Sequence, residues 1–318
     1  MRARAPPAAS ARVAFSDSSL RFAPACAHGE TPFRMTAWFF SSHLSAESRP
    51  VAFAKIPSTL PPRMKPLSIL AALALCAAPF ARAAEAPVSS TAYPQETGAA
   101  FARTFPYSMI GQLLFANGDS WFSGSGTVVR PHSVLTAAHN LWDADGGFST
   151  DILFRRGLAG RTDLSEQYAS RIYVLSGYRE NVRQFRLDDP RAFSYDTGGL
   201  IFRAPVAGGS NAGWWANPAL LTGPAPLLAL GYGGEFHTGD DLLSVAPTAP
   251  FTPVVGAFWE NFSIYCESGM SGGPVFARDA DGKLYLAGVV VAGSTAPPSA
   301  GIRILDRAAA DFIRRYLK

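Results

Sequence analysis

The sequence predicts an all-β body closed by a C-terminal helix, on three observations. From residue 106 onward the apolar runs are short, rich in β-branched and aromatic residues, and separated by Gly, Pro, Asp and Asn. The runs recur without long helical patterns between them, which argues against strand–helix–strand units. Residues 304–318 then switch to a helical period. Composition agrees: 29 glycines and 25 prolines in 318 residues, with 16% charged residues, are the signature of turns and short strands. An average soluble domain carries roughly 25% charged residues. A coiled coil, a long-helix bundle and a charge-rich disordered chain are excluded.

The chain opens with two unlike pieces. Residues 1–63 are rich in Ala, Pro, Ser and Arg and show no sustained period, so they read as a disordered or non-native extension, an artefact of start-site choice. Met64-Lys65-Pro66 then leads into an apolar run over 67–80, ended by Pro79 and Arg82, with small residues at Ala81 and Ala83. A basic start, an apolar stretch of about a dozen residues and small residues before a cut are the marks of a secretory signal. The run is shorter than the ~20 residues a membrane helix needs. The expectation is a signal peptide at 64–83, cleavage after Ala83, a secreted or periplasmic product, and no stable membrane insertion afterwards. Residues 84–105 form an N-terminal arm or a propeptide.

This division changes the reading of charge. Residues 1–83 hold ten Lys and Arg against three Asp and Glu, or +7, while 84–318 hold eighteen against twenty-one, or −3. The overall +4 therefore does not describe the body, and no nucleic-acid partner is expected. Cleavage removes Cys26 and Cys76 and leaves Cys266 without a disulfide partner, so it reads as a small buried hydrophobe. A monomer is expected.

The predicted strands are 107–115, 124–129, 133–137, 171–175, 199–202, 226–232, 262–265, 274–278 and 283–291. Asp281-Gly282, with Asp279 before it, marks a tight hairpin between the last two. In the tail, Ile304, Leu305, Ala308, Phe312, Ile313, Tyr316 and Leu317 form one stripe. Asp306 comes early and Arg314, Arg315 and Lys318 late, the favourable sense for the helix dipole.

Three residues carry candidate chemistry. Ser271 lies in ESGMSGGPVF (267–276), where glycines permit a tight turn and close approach of a substrate. A serine hydroxyl is a weak nucleophile until an adjacent base takes its proton. His139, in SVLTAAHNLW (133–142) at the end of a strand-like run, is the candidate base. His132 and His237 have no comparable surroundings, and no Cys/His cluster or HExxH run suggests a metal or other cofactor. Asp196, in FSYDTGGLIF (193–202), is the candidate orienter of the imidazole, with Asp188 and Asp189 as rivals in a polar loop.

TAAH (136–139), YD before a hydrophobic strand (195–202) and GMSGGP (269–274), in that order and 57 and 75 residues apart, resemble the trypsin/chymotrypsin-like serine peptidases. GSGTVV (124–129) and GWW (213–215) extend the resemblance, which runs from about 107 to 318 and is closest to the secreted bacterial branch that includes glutamyl endopeptidases. It implies two packed six-stranded antiparallel β-barrels, at about 106–205 and 213–303, followed by the helix over 304–318. It also implies an exported serine endopeptidase acting on protein or peptide substrates, with His139 as general base, Asp196 as its orienter and Ser271 as nucleophile. The oxyanion hole would be the N–H groups of Gly269 and Ser271, and the substrate pocket would involve Tyr265, Val290, Val291, Gly293 and Gly301.

Departures from the pattern also carry meaning. Met270 stands where animal relatives have the aspartate that pairs with a newly cut N-terminus, so ion-pair activation is not expected. Thr-Gly-Gly after Asp196 is expected to loosen the following strand. Tyr265 in place of an aspartate argues against Lys or Arg before the cleaved bond, and Val290 in place of a histidine argues against Glu. An uncharged residue is the expectation, with Glu267 near the rim favouring a basic residue elsewhere on the substrate. The alternative from another class is a catalytically weak member of the fold acting in binding or adhesion. An α/β-hydrolase esterase is disfavoured, because that fold places its histidine last in the chain.

Overall fold

The structure is a computed structural model that describes residues 91–318. The expected extension at 1–63 and signal at 64–83 lie outside the described residues, as does the first part of the arm.

Two curled antiparallel sheets make the body. The first has seven strands in the order Ser165–Tyr168, Thr150–Arg156, Ile110–Asn117, Ser120–Arg130, Ser133–Thr136, Gly198–Ile201 and Arg171–Val174. The second has eight: Gln95–Glu96, Leu243–Val245, Leu227–Gly231, Pro274–Arg278, Leu284–Thr295, Pro298–Ile304, Phe258–Asn261 and Thr252–Val255. The sheets thus carry seven and eight strands rather than six each. Part of the excess is the arm: Gln95 and Glu96 pair with Ser244 and Leu243, extending the second sheet.

Several strands were not expected from the sequence, among them the well-buried Phe258–Asn261 and Pro298–Ile304 and two at sheet edges whose side chains say little about burial. Ser165–Tyr168 and Thr252–Val255 are edge strands, largely exposed, and the second contains Pro253. An edge tolerates proline because its outward N–H has no ladder partner to lose. Residues 262–265, expected as a strand, are not one. The Asn261 side chain accepts from the Ser263 N–H at 2.8 Å, a local turn that ends the strand Phe258–Asn261. Beyond it only Ile264 bridges, to Ala92 of the arm. Residues 107–109 form a 3-10 turn, so the first strand of its sheet starts at Ile110. An eight-residue helix, Tyr178–Phe185, also lies between strands, burying Tyr178 and Val182 one turn apart.

The hairpin after Arg278 is present, with Gly282 at φ +79° and the Asp279 carboxylate accepting from the Asp281 and Lys283 N–H groups. The C-terminal helix, Arg307–Tyr316, begins at Asp306, whose carboxylate accepts from the Ala309 N–H at 2.9 Å. It buries Ala309, Phe312 and Ile313, and Leu317 just beyond it, against the first sheet. Each large apolar side chain so buried contributes roughly 1.5–3 kcal/mol.

Candidate active site

Strand pairing explains how residues 57 positions apart meet. Thr136 pairs with Gly198 in antiparallel strands, so the chain leaving Thr136 and the chain entering Gly198 lie at one end of the sheet. His139 is in the 3-10 turn Ala138–Asn140 just past the first; Asp196 stands two residues before the second. Asp196 is completely buried and holds His139 at two points: Oδ1 accepts from the backbone N–H at 3.0 Å and Oδ2 lies 2.6 Å from Nδ1. A carboxylate can only accept, so Nδ1 carries the proton and Nε2 is left with its lone pair. Thr-Gly-Gly does not leave space here. A side chain at Gly198 would strike Leu141 and one at Gly199 would strike Leu317, so these glycines admit close packing.

The rival carboxylates are occupied elsewhere. Asp189 caps the short helix Pro190–Phe193 and pairs with Arg191 at 2.6 Å, and the hydrogen bond from Arg191 holds its carboxyl below the usual range. Asp188 pairs with Arg186 on the surface. His132 packs its Nδ1 3.2 Å from the Phe202 carbonyl.

Ser271 lies in a loop of the second sheet that the first sheet holds in place. The Ser125 N–H and the Asn140 side chain both donate to the Ser271 carbonyl, at 2.7 and 2.9 Å. The Ser125 hydroxyl donates to the Gly269 carbonyl at 2.8 Å and accepts from the Tyr232 N–H. Gly269 and Gly272 sit at φ +94° and +89°, and a side chain on either would collide with backbone, the Tyr232 and Ser125 carbonyls respectively.

Two peptide groups of this loop are oriented by hydrogen bonds to their carbonyls. The Ser268 carbonyl accepts from the Gly234 N–H at 2.8 Å and the Met270 carbonyl from the Gly273 N–H at 2.9 Å. In a trans peptide the N–H points opposite to the C=O. The Gly269 and Ser271 N–H groups therefore face the other way, and among the described residues neither donates to a protein acceptor. His139 and Ser271 line one cavity, although no hydrogen bond joins their side chains among the described residues.

Of the expected pocket residues, Tyr265, Val290, Val291 and Gly293 line that cavity. The register shift between Val290 and Ala292 is a bulge that takes Val291 out of the ladder. Gly293 lies against the Cys266 carbonyl, which a side chain would strike. Gly301 does not line the cavity; it lies in the ladder opposite Ala292, where the absence of a side chain lets Phe258 and Ala292 close over it. Cys266 is buried, and burial followed by the nearby Glu267 charge pushes its thiol up to about 12.

Several residues of the site were not singled out in the sequence. Ser125 and Asn140 lie inside the GSGTVV and TAAHN runs, so the signal was adjacent. Glu235 had no local signal, and nothing local joined Glu267, expected at the rim, to His237. Glu267 is buried rather than at the rim; its carboxylate lies 2.5 Å from His237 Nδ1 and accepts from the Glu235 and Phe236 N–H groups. Glu235 lines the cavity and accepts from the Tyr265 hydroxyl.

No family model matches the chain, and no curated protein matches it. Solved structures do. The chain is similar to the protease Anisep from Arthrobacter nicotinovorans, with 20% identity, 65% of this chain and 94% of the other covered, and a TM-score of 0.51. A thermostable serine protease, AL20, from an extremophilic microorganism gives 21%, 64%, 94% and 0.52. A Glu endopeptidase gives 22%, 71%, 98% and 0.55. The all-β body with its C-terminal helix is the trypsin-like serine protease fold.

Proposed function

We propose that this chain, built on the trypsin-like serine protease fold, is an exported serine endopeptidase that cleaves protein or peptide substrates through an acyl-enzyme on Ser271. The observation that carries the reading is the double grip of buried Asp196 on His139, which leaves Nε2 as a base in the cavity that Ser271 lines. His139 takes the Ser271 proton as the oxygen attacks the carbonyl, and Asp196 stabilises the imidazolium that forms. The Gly269 and Ser271 N–H groups receive the developing oxyanion; loss of one such donor typically costs ~3–4 kcal/mol. His139 then protonates the leaving amine, and water, deprotonated in turn by His139, releases the acyl group.

The reading includes activity without a newly cut N-terminus. Met270 is buried and uncharged, and the loop before Ser271 is braced by the Glu267 carboxylate and by Ser125. Export rests on residues 64–83 alone; among the described residues no helix is long and apolar enough to cross a membrane. The test is labelling by a fluorophosphonate together with casein hydrolysis. The parent chain is expected to label and to cleave casein, and Ser271→Ala to do neither. Full labelling of that variant, or an inert parent chain, overturns the assignment; an inert parent would instead support a binding role for the same fold.

A further inference from the structure

The cavity beside Ser271 is lined by two carboxylates, Glu235 and Glu267, whose hydrogen-bond partners differ. Among the described residues no Lys or Arg lines it. Of its two carboxylates, Glu267 has both oxygens engaged, Oε1 2.5 Å from His237 Nδ1 and Oε2 accepting from two backbone amides. Glu235 is different. It stands on the loop that follows the strand Leu227–Gly231, and its Oε2 accepts from the Tyr265 hydroxyl and, at 3.4 Å, from the Ser268 N–H. Its Oε1 accepts from no group among the described residues. Burial, the Tyr265–Glu235 hydrogen bond and the two nearby carboxylates together push the Tyr265 hydroxyl well above its ordinary value, so it remains a donor that fixes Glu235 in place.

A substrate side chain entering this cavity displaces water from Glu235. A neutral side chain without a donor leaves the carboxylate desolvated with an unsatisfied acceptor. A carboxylate side chain adds a second negative charge. An alkylammonium or guanidinium instead supplies the missing partner, while Val290, Val291 and Ala292 offer apolar wall to its aliphatic stem. We infer that Glu235 selects substrates with Lys or Arg immediately before the cleaved bond. The inference rests on the endopeptidase reading for the identity of the substrate. It replaces the expectation of an uncharged residue, which considered the position of Tyr265 but not a charge arriving from another loop.

Two measurements test it. Benzamidine and its neutral isostere benzamide are titrated against the parent chain and against Ser271→Ala and Glu235→Gln. The cation is expected to bind the first two about tenfold or more tighter than benzamide, and Glu235→Gln to erase that preference. Glutamine keeps the acceptor for Tyr265 and removes only the charge. Peptide esters with Arg, Lys, Gln, norleucine and Glu before the scissile bond are then compared. The parent is expected to prefer Arg and Lys, and the Arg-to-norleucine ratio of kcat/KM to fall in Glu235→Gln by ~10- to 100-fold. Equal binding of benzamidine and benzamide by the unmutated chain, or an unchanged ratio in the variant, overturns the inference. The outcome is separable from that of the parent reading. A chain that labels with fluorophosphonate but ignores benzamidine refutes only the charge selectivity. One that binds benzamidine through Glu235 but never labels refutes only the acyl-enzyme.

Discussion

His139 is fixed through both its backbone and its ring by a carboxylate with no access to water, so its tautomer and orientation are set before any substrate arrives. Replacing that charge without changing shape is therefore the sharpest residue-scale test. Asp196→Asn should lower kcat on an ester substrate by about 10⁴-fold, because the amide reverses the donor pattern at Nδ1. Asp189→Ala should leave kcat within about twofold, since it loses a helix cap and a surface pair away from His139. Cys266 gives a second prediction. Its thiol is raised from an ordinary value near 9 to about 12, so above pH 9 the unfolded chain releases a proton the folded chain keeps. Its contribution to stability is thus complete below pH 9 and lost as pH rises towards 12. Urea melts between pH 8 and 10.5 should show a steeper loss of stability in the parent than in Cys266→Ala; parallel slopes would refute this.

At the scale of elements, the C-terminal helix depends on one side chain for two purposes. Asp306 caps its first turn and is the ion-pair partner of Arg303, whose side chain is only 2% exposed. Asp306→Ala removes a cap, worth about 1 kcal/mol, and strands a buried guanidinium, so a loss of about 3 kcal/mol in urea-derived stability is expected. Asp306→Asn keeps an acceptor for the cap and should cost less. Equal effects of the two substitutions would show that the charge of the pair contributes little. The bulge at Val291 belongs to this scale as well. It is a single-residue departure from regular pairing in a stretch whose residues Val290 to Gly293 line the cavity.

At the scale of the molecule, the site exists only where the two sheets meet. His139 and Asp196 come from the first sheet, and Ser271 comes from a loop of the second. Ser125 is the tie between them: its hydroxyl and N–H reach Gly269, Tyr232 and Ser271 across the junction. Ser125→Ala leaves the buried Gly269 carbonyl and Tyr232 N–H without that partner, a cost of about 1–3 kcal/mol for each unsatisfied group. The variant should be less stable and label more slowly with fluorophosphonate, because the Gly269 peptide is no longer held. A variant that loses stability but labels at the parental rate would show that Ser125 braces the sheets without setting the amides.

Local pattern was enough to determine the β-rich body, the terminal helix and the hairpin at Asp279–Gly282, because alternation, helical stripe and turn chemistry act between residues close in the chain. The TAAH, YD and GMSGGP runs were legible for the same reason: each is a backbone shape as much as a residue choice. Only the tertiary structure decided which aspartate meets His139, since Asp188, Asp189 and Asp196 differ in burial and in partners rather than in chemistry. It alone also placed Glu235 in the cavity and paired Glu267 with His237. Electrostatic environment is a sum over neighbours from separate loops, and no window along the chain contains them.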